Sequence, residues 1–99
     1  MSDASSPVTS VDALLRVRAT FAAKVRAARA ALGLKQSELA KRAGLTQKSI
    51  HRIERGTDEL RRSTVMAVES ALKAEGIEFE ELPGGGFKVI VPATILWKS

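Results

Sequence analysis

Residues Leu34 to Gly56 read LKQSELAKRAGLTQKSIHRIERG, and the spacing inside this stretch decides the architecture. Leu39, Ala40 and Ala43 fall on one side of a short helix predicted from about Gln36 to Ala43, and Gly44 is free to take the positive φ of a tight turn. Thr46 is a good N-cap for a second helix from about Gln47 to Arg55; Ile50 and Ile53 share its inner face, and Gly56 supplies the stop. Two short helices joined through a glycine turn have helix-turn-helix spacing.

Upstream, Val11, Leu14, Leu15, Phe21, Val25, Ala28 and Leu32 recur at spacings near three and four, the mark of an amphipathic helix ending at Gly33. The pattern leaves open whether one long helix runs to Leu32 or a short one gives way to another at Thr20. Residues 1–9 are too poor in apolar side chains to fold alone and read as a disordered tail, with Ser10 capping the helical run.

Downstream of a polar loop from Arg55 to Arg62, Ser63 is expected to cap a further helix whose Val65, Val68 and Leu72 form an apolar stripe ending at Gly76. The period then changes. Ile77 and Phe79 alternate with Glu78 and Glu80, Pro83 to Gly86 make a turn, and Phe87, Val89 and Val91 alternate again, which predicts a β-hairpin. A lone hairpin is only marginally stable, so it must pack on the helices or pair with a second chain. The expected fold is mainly α: a helix-turn-helix bundle of four to five helices with a C-terminal β-hairpin. Its parts are a tail (1–9), a helix-turn-helix domain with an N-terminal helical extension (10–75), a hairpin that is a candidate dimerisation element (76–92) and a tail (93–99).

With 16 Lys and Arg against 11 Asp and Glu, the 99-residue chain carries a net charge of +5, a balance that suits a polyanionic partner. Its distribution says more. From Arg16 to Arg62 only Glu38, Glu54, Asp58 and Glu59 oppose the basic residues, whereas Glu69 to Glu81 is acidic. Cysteine is absent and His51 is the single histidine, so neither a disulfide framework nor a Cys- or His-rich metal site is expected. No secretory signal or bilayer-length apolar run is visible, which predicts a soluble, cytoplasmic, nucleoid-associated protein. No pair of carboxylates or nucleophile with a base suggests an enzyme, and no cofactor is expected. Gly84-Gly85-Gly86 lacks the Lys-Ser or Lys-Thr of a phosphate loop and reads as a hairpin turn.

Gln36, the Leu39-Ala40 pair, Ala43-Gly44, Ile50, Ile53-Glu54 and Gly56 stand in step with one another, and the region from Phe21 to Leu72 resembles the lambda-repressor-like, or XRE, family of bacterial and phage regulators. The residues agree with the function this resemblance implies. In a helix starting near Thr46, the side chains of Gln47, Lys48, His51 and Arg52 lie opposite Ile50 and Ile53, and Arg, Lys and Gln are the groups that read guanine and adenine edges in the major groove. By resemblance Gln47, Lys48 and Arg52 contact bases in double-stranded DNA, while Ser49 and His51 can reach either a base or a phosphate. Gln36 matches the family position that touches the DNA backbone, and Lys35 and Arg55 flank it as further phosphate contacts. Arg16, Arg18, Lys41, Arg42, Arg61 and Arg62 are expected to form a solvated basic face. Glu54 is expected to pair with a nearby arginine as part of the scaffold.

Two function classes remain. One is a transcriptional regulator that binds a roughly palindromic site as a homodimer, formed through the hairpin or through the Val11, Leu14 and Leu15 cluster, with Ile95, Leu96 and Trp97 adding to that surface. The other is an antitoxin-type interaction protein that uses the same domain to autoregulate its operon while neutralising a protein partner.

Overall fold

The computed structural model describes residues 7–97. One helix, α1 (Pro7–Leu32), fills the first third of the chain. Thr20 lies within it, so the single-helix alternative holds: no Gly or Pro interrupts the run after Pro7, whose missing N–H costs nothing in a first turn. The expected tail is helical from Pro7, Ser10 is an interior residue rather than a cap, and the rest of that expectation, residues 1–6, lies outside the described residues.

The helices α2 (Gln36–Ala43) and α3 (Gln47–Arg55) have the bounds their caps predict. Gly44 adopts φ 70° and closes α2 with bonds from its own N–H to Lys41 and from Leu45 to the Ala40 carbonyl, a left-handed step that a Cβ would penalise. Next comes α4 (Arg62–Ala74), which begins one residue ahead of Ser63; Arg61 occupies the cap position without a side-chain bond, because the chain turns into the helix before the hydroxyl is reached. The strands β1 (Glu78–Glu81) and β2 (Phe87–Ile90) form an antiparallel hairpin in which Phe79 faces Val89 and Glu81 faces Phe87. A 3-10 turn, Pro83–Gly85, joins them, and a short helix, α5 (Ala93–Leu96), occupies the stretch that reads as tail in the sequence.

A single apolar core holds these elements together. Phe21, Val25 and Ala28 from α1 meet Leu39 and Ala40 from α2, Ile50 and Ile53 from α3, Val68, Ala71 and Leu72 from α4, and Ile77 ahead of the hairpin. The hairpin resolves its own marginal stability by packing on the helices: Phe79, Val89 and Val91 lean on that core. Phe79 and Phe87 meet edge to face with centroids 6.2 Å apart. Lys24 of α1 sits 5.5 and 5.7 Å from the two ring centroids and binds Glu81 at 2.6 Å, so a cation over aromatic faces and an ion pair fasten the sheet to α1. Among the described residues, no helix is long and apolar enough to cross a membrane.

Candidate nucleic-acid interface

The candidate interface is built on α3. The Thr46 hydroxyl accepts the Ser49 backbone N–H at 3.1 Å, which satisfies one orphan donor of the first turn and fixes where the helix begins. With that start set, Ile50 and Ile53 are buried, and Gln47, Lys48, His51 and Arg52 are exposed together on the opposite side. Ser49 differs from them. It is half-buried, and its hydroxyl lies 3.0 Å from that of Thr46, so its polar group already has a partner within the protein. A cleft of about 320 Å³ opens beside this face, lined by Ser49 and Arg52 from α3, by Asp58 to Arg61, and by Thr64 of α4.

The opposite end of α3 is gripped by arginines of α1. Arg29 forms a two-pronged pair with the Glu54 carboxylate, Nε to Oε2 at 2.7 Å and Nη2 to Oε1 at 2.9 Å, and also donates to the Leu34 carbonyl at 3.0 Å. Arg26 donates to the Glu54 carbonyl, and Arg18 to the Thr57 carbonyl at 3.2 Å. These bonds engage carbonyls at or just past the end of α3, where the helix dipole favours cations. Gly56 takes φ 76° there and lies so close to α1 that a Cβ would stand 3.2 Å from that of Ala22. Burial pushes the Glu54 carboxyl up, but the bonds from Arg29 and Gln36 and the charges of Arg29 and Arg26 outweigh it and hold the group below its ordinary value. The hydrogen bond to Glu54 in turn raises Arg29 against the opposing effect of burial. The expected scaffold role of Glu54 is thus met by an arginine 25 residues away.

Gln36 stands at the start of α2, half-buried, with its amide donating to Glu54 Oε1 at 3.0 Å. The same side chain therefore ties α2 to α3. Lys35 is exposed, and its backbone N–H donates to the Glu38 carboxylate at 2.7 Å, half of a capping box. Arg55 is exposed but not free: Nη2 reaches both Asp58 oxygens at 3.0 and 3.1 Å. That hydrogen bonding, with the charges of Arg55 and Arg52, holds the Asp58 carboxyl below its ordinary value.

The expected solvated basic face is only partly so. Lys41, Arg61 and Arg62 are exposed, and exposed Arg16 pairs with Asp12 one turn away at 2.6 Å. Arg42 pairs with Glu75, and Arg18, which donates through Nη1 to the Thr57 carbonyl, has a buried Nε without a partner. The roles of Arg18, Arg26 and Arg29 in seating α3 are not legible in the sequence, since nothing in local spacing announces a contact across 25 residues or more. Among the described residues, no group of His, Cys, Asp and Glu could hold a metal ion.

Residues 25–79, more than half of the chain, match the family model described as Helix-turn-helix. The chain belongs to the lambda-repressor-like, or XRE, family of DNA-binding helix-turn-helix regulators. No curated protein and no solved structure matches it.

Proposed function

We propose that this protein is a sequence-specific transcriptional regulator that reads a roughly palindromic operator in cytoplasmic, nucleoid-associated DNA as a two-fold dimer. The observation that carries the reading is the exposed row Gln47, Lys48, His51 and Arg52 standing over the buried Ile50 and Ile53. Arg52 and Lys48 donate to guanine O6 and N7, and the Gln47 amide pairs with adenine N6 and N7. His51 lies on the same row and contacts a base edge or the adjoining backbone, while Ser49, held by Thr46, sits at the margin of the footprint.

Lys35, Gln36 and Arg55 hold the flanking phosphates and set the depth of α3 in the groove. Gln36 is suited to this because only one of its amide N–H groups is bound to Glu54. On this proposal the activity is DNA binding, with no catalytic step and no cofactor. A two-fold dimer presents two copies of α3 to successive major grooves about 34 Å apart, which is why the operator is expected to be palindromic.

The test is enrichment of genomic fragments on the purified protein near physiological salt, followed by sequencing. An inverted repeat shared by the retained fragments, whose discrimination from mismatched sites relaxes in Arg52→Ala, is the expected result. Uniform retention, or an Arg52→Ala protein that binds matched and mismatched sites as before, would overturn the assignment. The antitoxin reading draws on the exposed acidic Glu78 and Glu80 of β1, and it wins if the protein co-purifies with a basic partner whose toxicity it abolishes.

A further inference from the structure

A groove of about 750 Å³ runs between α1, α4 and the hairpin turn, and no residue of α3 lines it. Its floor is apolar: Val17 and Phe21 come from α1, Leu60 from the connection between α3 and α4, and Val65 from α4. Phe21 belongs to the core, and Leu60 and Val65 pack against that core, so the groove reaches down to the edge of the packed interior. Gly84 and Gly85 of the hairpin turn border it without a side chain to fill it. Sites for small organic molecules have this character: roughly 300–1,000 Å³, mostly apolar, with a few polar groups to fix orientation.

The charges around the groove are not equally available. Lys24 is held by Glu81 at 2.6 Å, and Arg16 by Asp12 at 2.6 Å. Glu69 also lines the groove; it is exposed, and among the described residues it has no ion-pair partner. Half-buried Thr20 adds a hydroxyl. The groove therefore sets one uncompensated negative charge beside an apolar floor, on a chain whose net charge is +5. A charge beside a low-dielectric wall attracts its opposite more strongly than it would in open water.

We propose that this groove is an effector site for a small apolar molecule bearing a single positive charge, with its body on Phe21, Leu60 and Val65 and its cationic centre beside the Glu69 carboxylate. Leu60 gives the site a route to DNA. It also borders the cleft of about 320 Å³ beside Arg52, and it lies on the same connection as Asp58, the partner of Arg55. An occupant held against Leu60 acts on that connection, and it shifts DNA binding to the extent that its affinity differs between the free and the DNA-bound protein. The proposal deepens the regulator reading above and rests on it for the consequence at DNA; binding to the groove stands without it.

Tetraphenylphosphonium and tetraphenylborate, ions of matched size and shape and opposite charge, test it by calorimetric titration of the full chain, with circular dichroism to follow folding. The phosphonium is expected to bind at one saturable site, tighter than the borate by about tenfold or more. The net charge of +5 by itself would favour the borate. Glu69→Gln, an exposed change that costs a helix little, should remove most of the preference and leave unfolding unaltered. Methyl NMR signals of Val17, Leu60 and Val65 should shift with the phosphonium, and those of exposed Val11 and Leu14 should not. On an operator fragment recovered by the enrichment, saturating phosphonium should change affinity by about fivefold or more, and Leu60→Ala should shrink that change. A protein that favours the borate, or phosphonium binding that is indifferent to Glu69→Gln or centred on Leu14, would overturn the site. Saturable binding that leaves operator affinity unaltered would overturn the link through Leu60. A Glu69-dependent site on a protein that selects no operator would uphold the groove and sink the regulator reading; an operator-binding protein without the site would do the reverse.

Discussion

Glu54 and Arg55 are neighbours in sequence at the end of α3, and each makes a two-pronged ion pair, yet the two pairs have opposite consequences. The Glu54 side chain is 6% exposed and its Arg29 partner 25%; Arg55 and Asp58 are 54% and 32% exposed. Around Glu54 water is displaced and the carboxylate is satisfied by Arg29 and Gln36 together, so removing it strands donors from two other elements. Around Arg55 water replaces whatever is lost, and under the proposed DNA-binding mode the pair governs how much positive charge is offered to a phosphate. Position along the chain says little about the role of a charge. The depth at which it sits says most of it.

The largest effect should come from breaking the buried pair. Glu54→Ala is expected to destabilise the fold by about 2–4 kcal/mol, toward the lower side because Arg29 retains some solvent, measurable as a lowered denaturant midpoint. DNA affinity should fall with it, since α3 loses its seat against α1 and α2. Acid provides the same cut more gently. The folded-state carboxyl of Glu54 titrates below its unfolded value, so its contribution is complete above the unfolded pKa and disappears as the pH falls through the folded one. Unfolding across that acidic range should be less pH-dependent in Glu54→Gln than in the wild type.

Smaller effects belong to the exposed pair. Asp58→Asn should leave the unfolding midpoint nearly unchanged and raise DNA affinity by less than about tenfold, because it releases Arg55 and removes an acid near the backbone. Arg55→Ala should flatten the dependence of log affinity on log salt by less than about one unit, the loss expected for a wholly unpaired phosphate contact. Combining the two substitutions sharpens the contrast: if Arg55 acts on DNA only after leaving Asp58, the gain from Asp58→Asn vanishes in the Arg55→Ala background. A gain that persists would trace to Asp58 alone.

The contrast between near and far also governs which features of the fold and the interface are legible in the sequence. The bounds of α2 and α3 can be read because Thr46, Gly44 and Gly56 act on their own turns, and the outward row of α3 follows from the period fixed by Ile50 and Ile53. Glu54 is recognisable as a scaffold acid, but its partner Arg29 is not. The pairing of Arg55 with Asp58 is local enough to be read from its i,i+3 spacing, and is obscured when residues 55–62 are taken as a uniform polar loop. Ser63 and Ser10 are plausible caps by type and sit inside helices instead, because a cap is set by where the backbone turns and not by the presence of a hydroxyl. The short α5 has too few residues to show a period; Ile95 packing on the core, with Pro92 against Gly76, places it.

Lys24, finally, links two parts of the chain that are synthesised far apart in time. Its partners Glu81, Phe79 and Phe87 lie 55 to 63 positions later, the ion pair itself spanning 57. During translation the helical portion can collapse while α1 still lacks the sheet that clasps it, and the clasp closes only after Phe87 has left the ribosome. A chain truncated before the hairpin would keep the residues of α3 but lack the Lys24 clasp on α1, the helix whose arginines seat α3. The hairpin is thus a late-arriving brace on the first helix, in place only once residues 78–90 have been made.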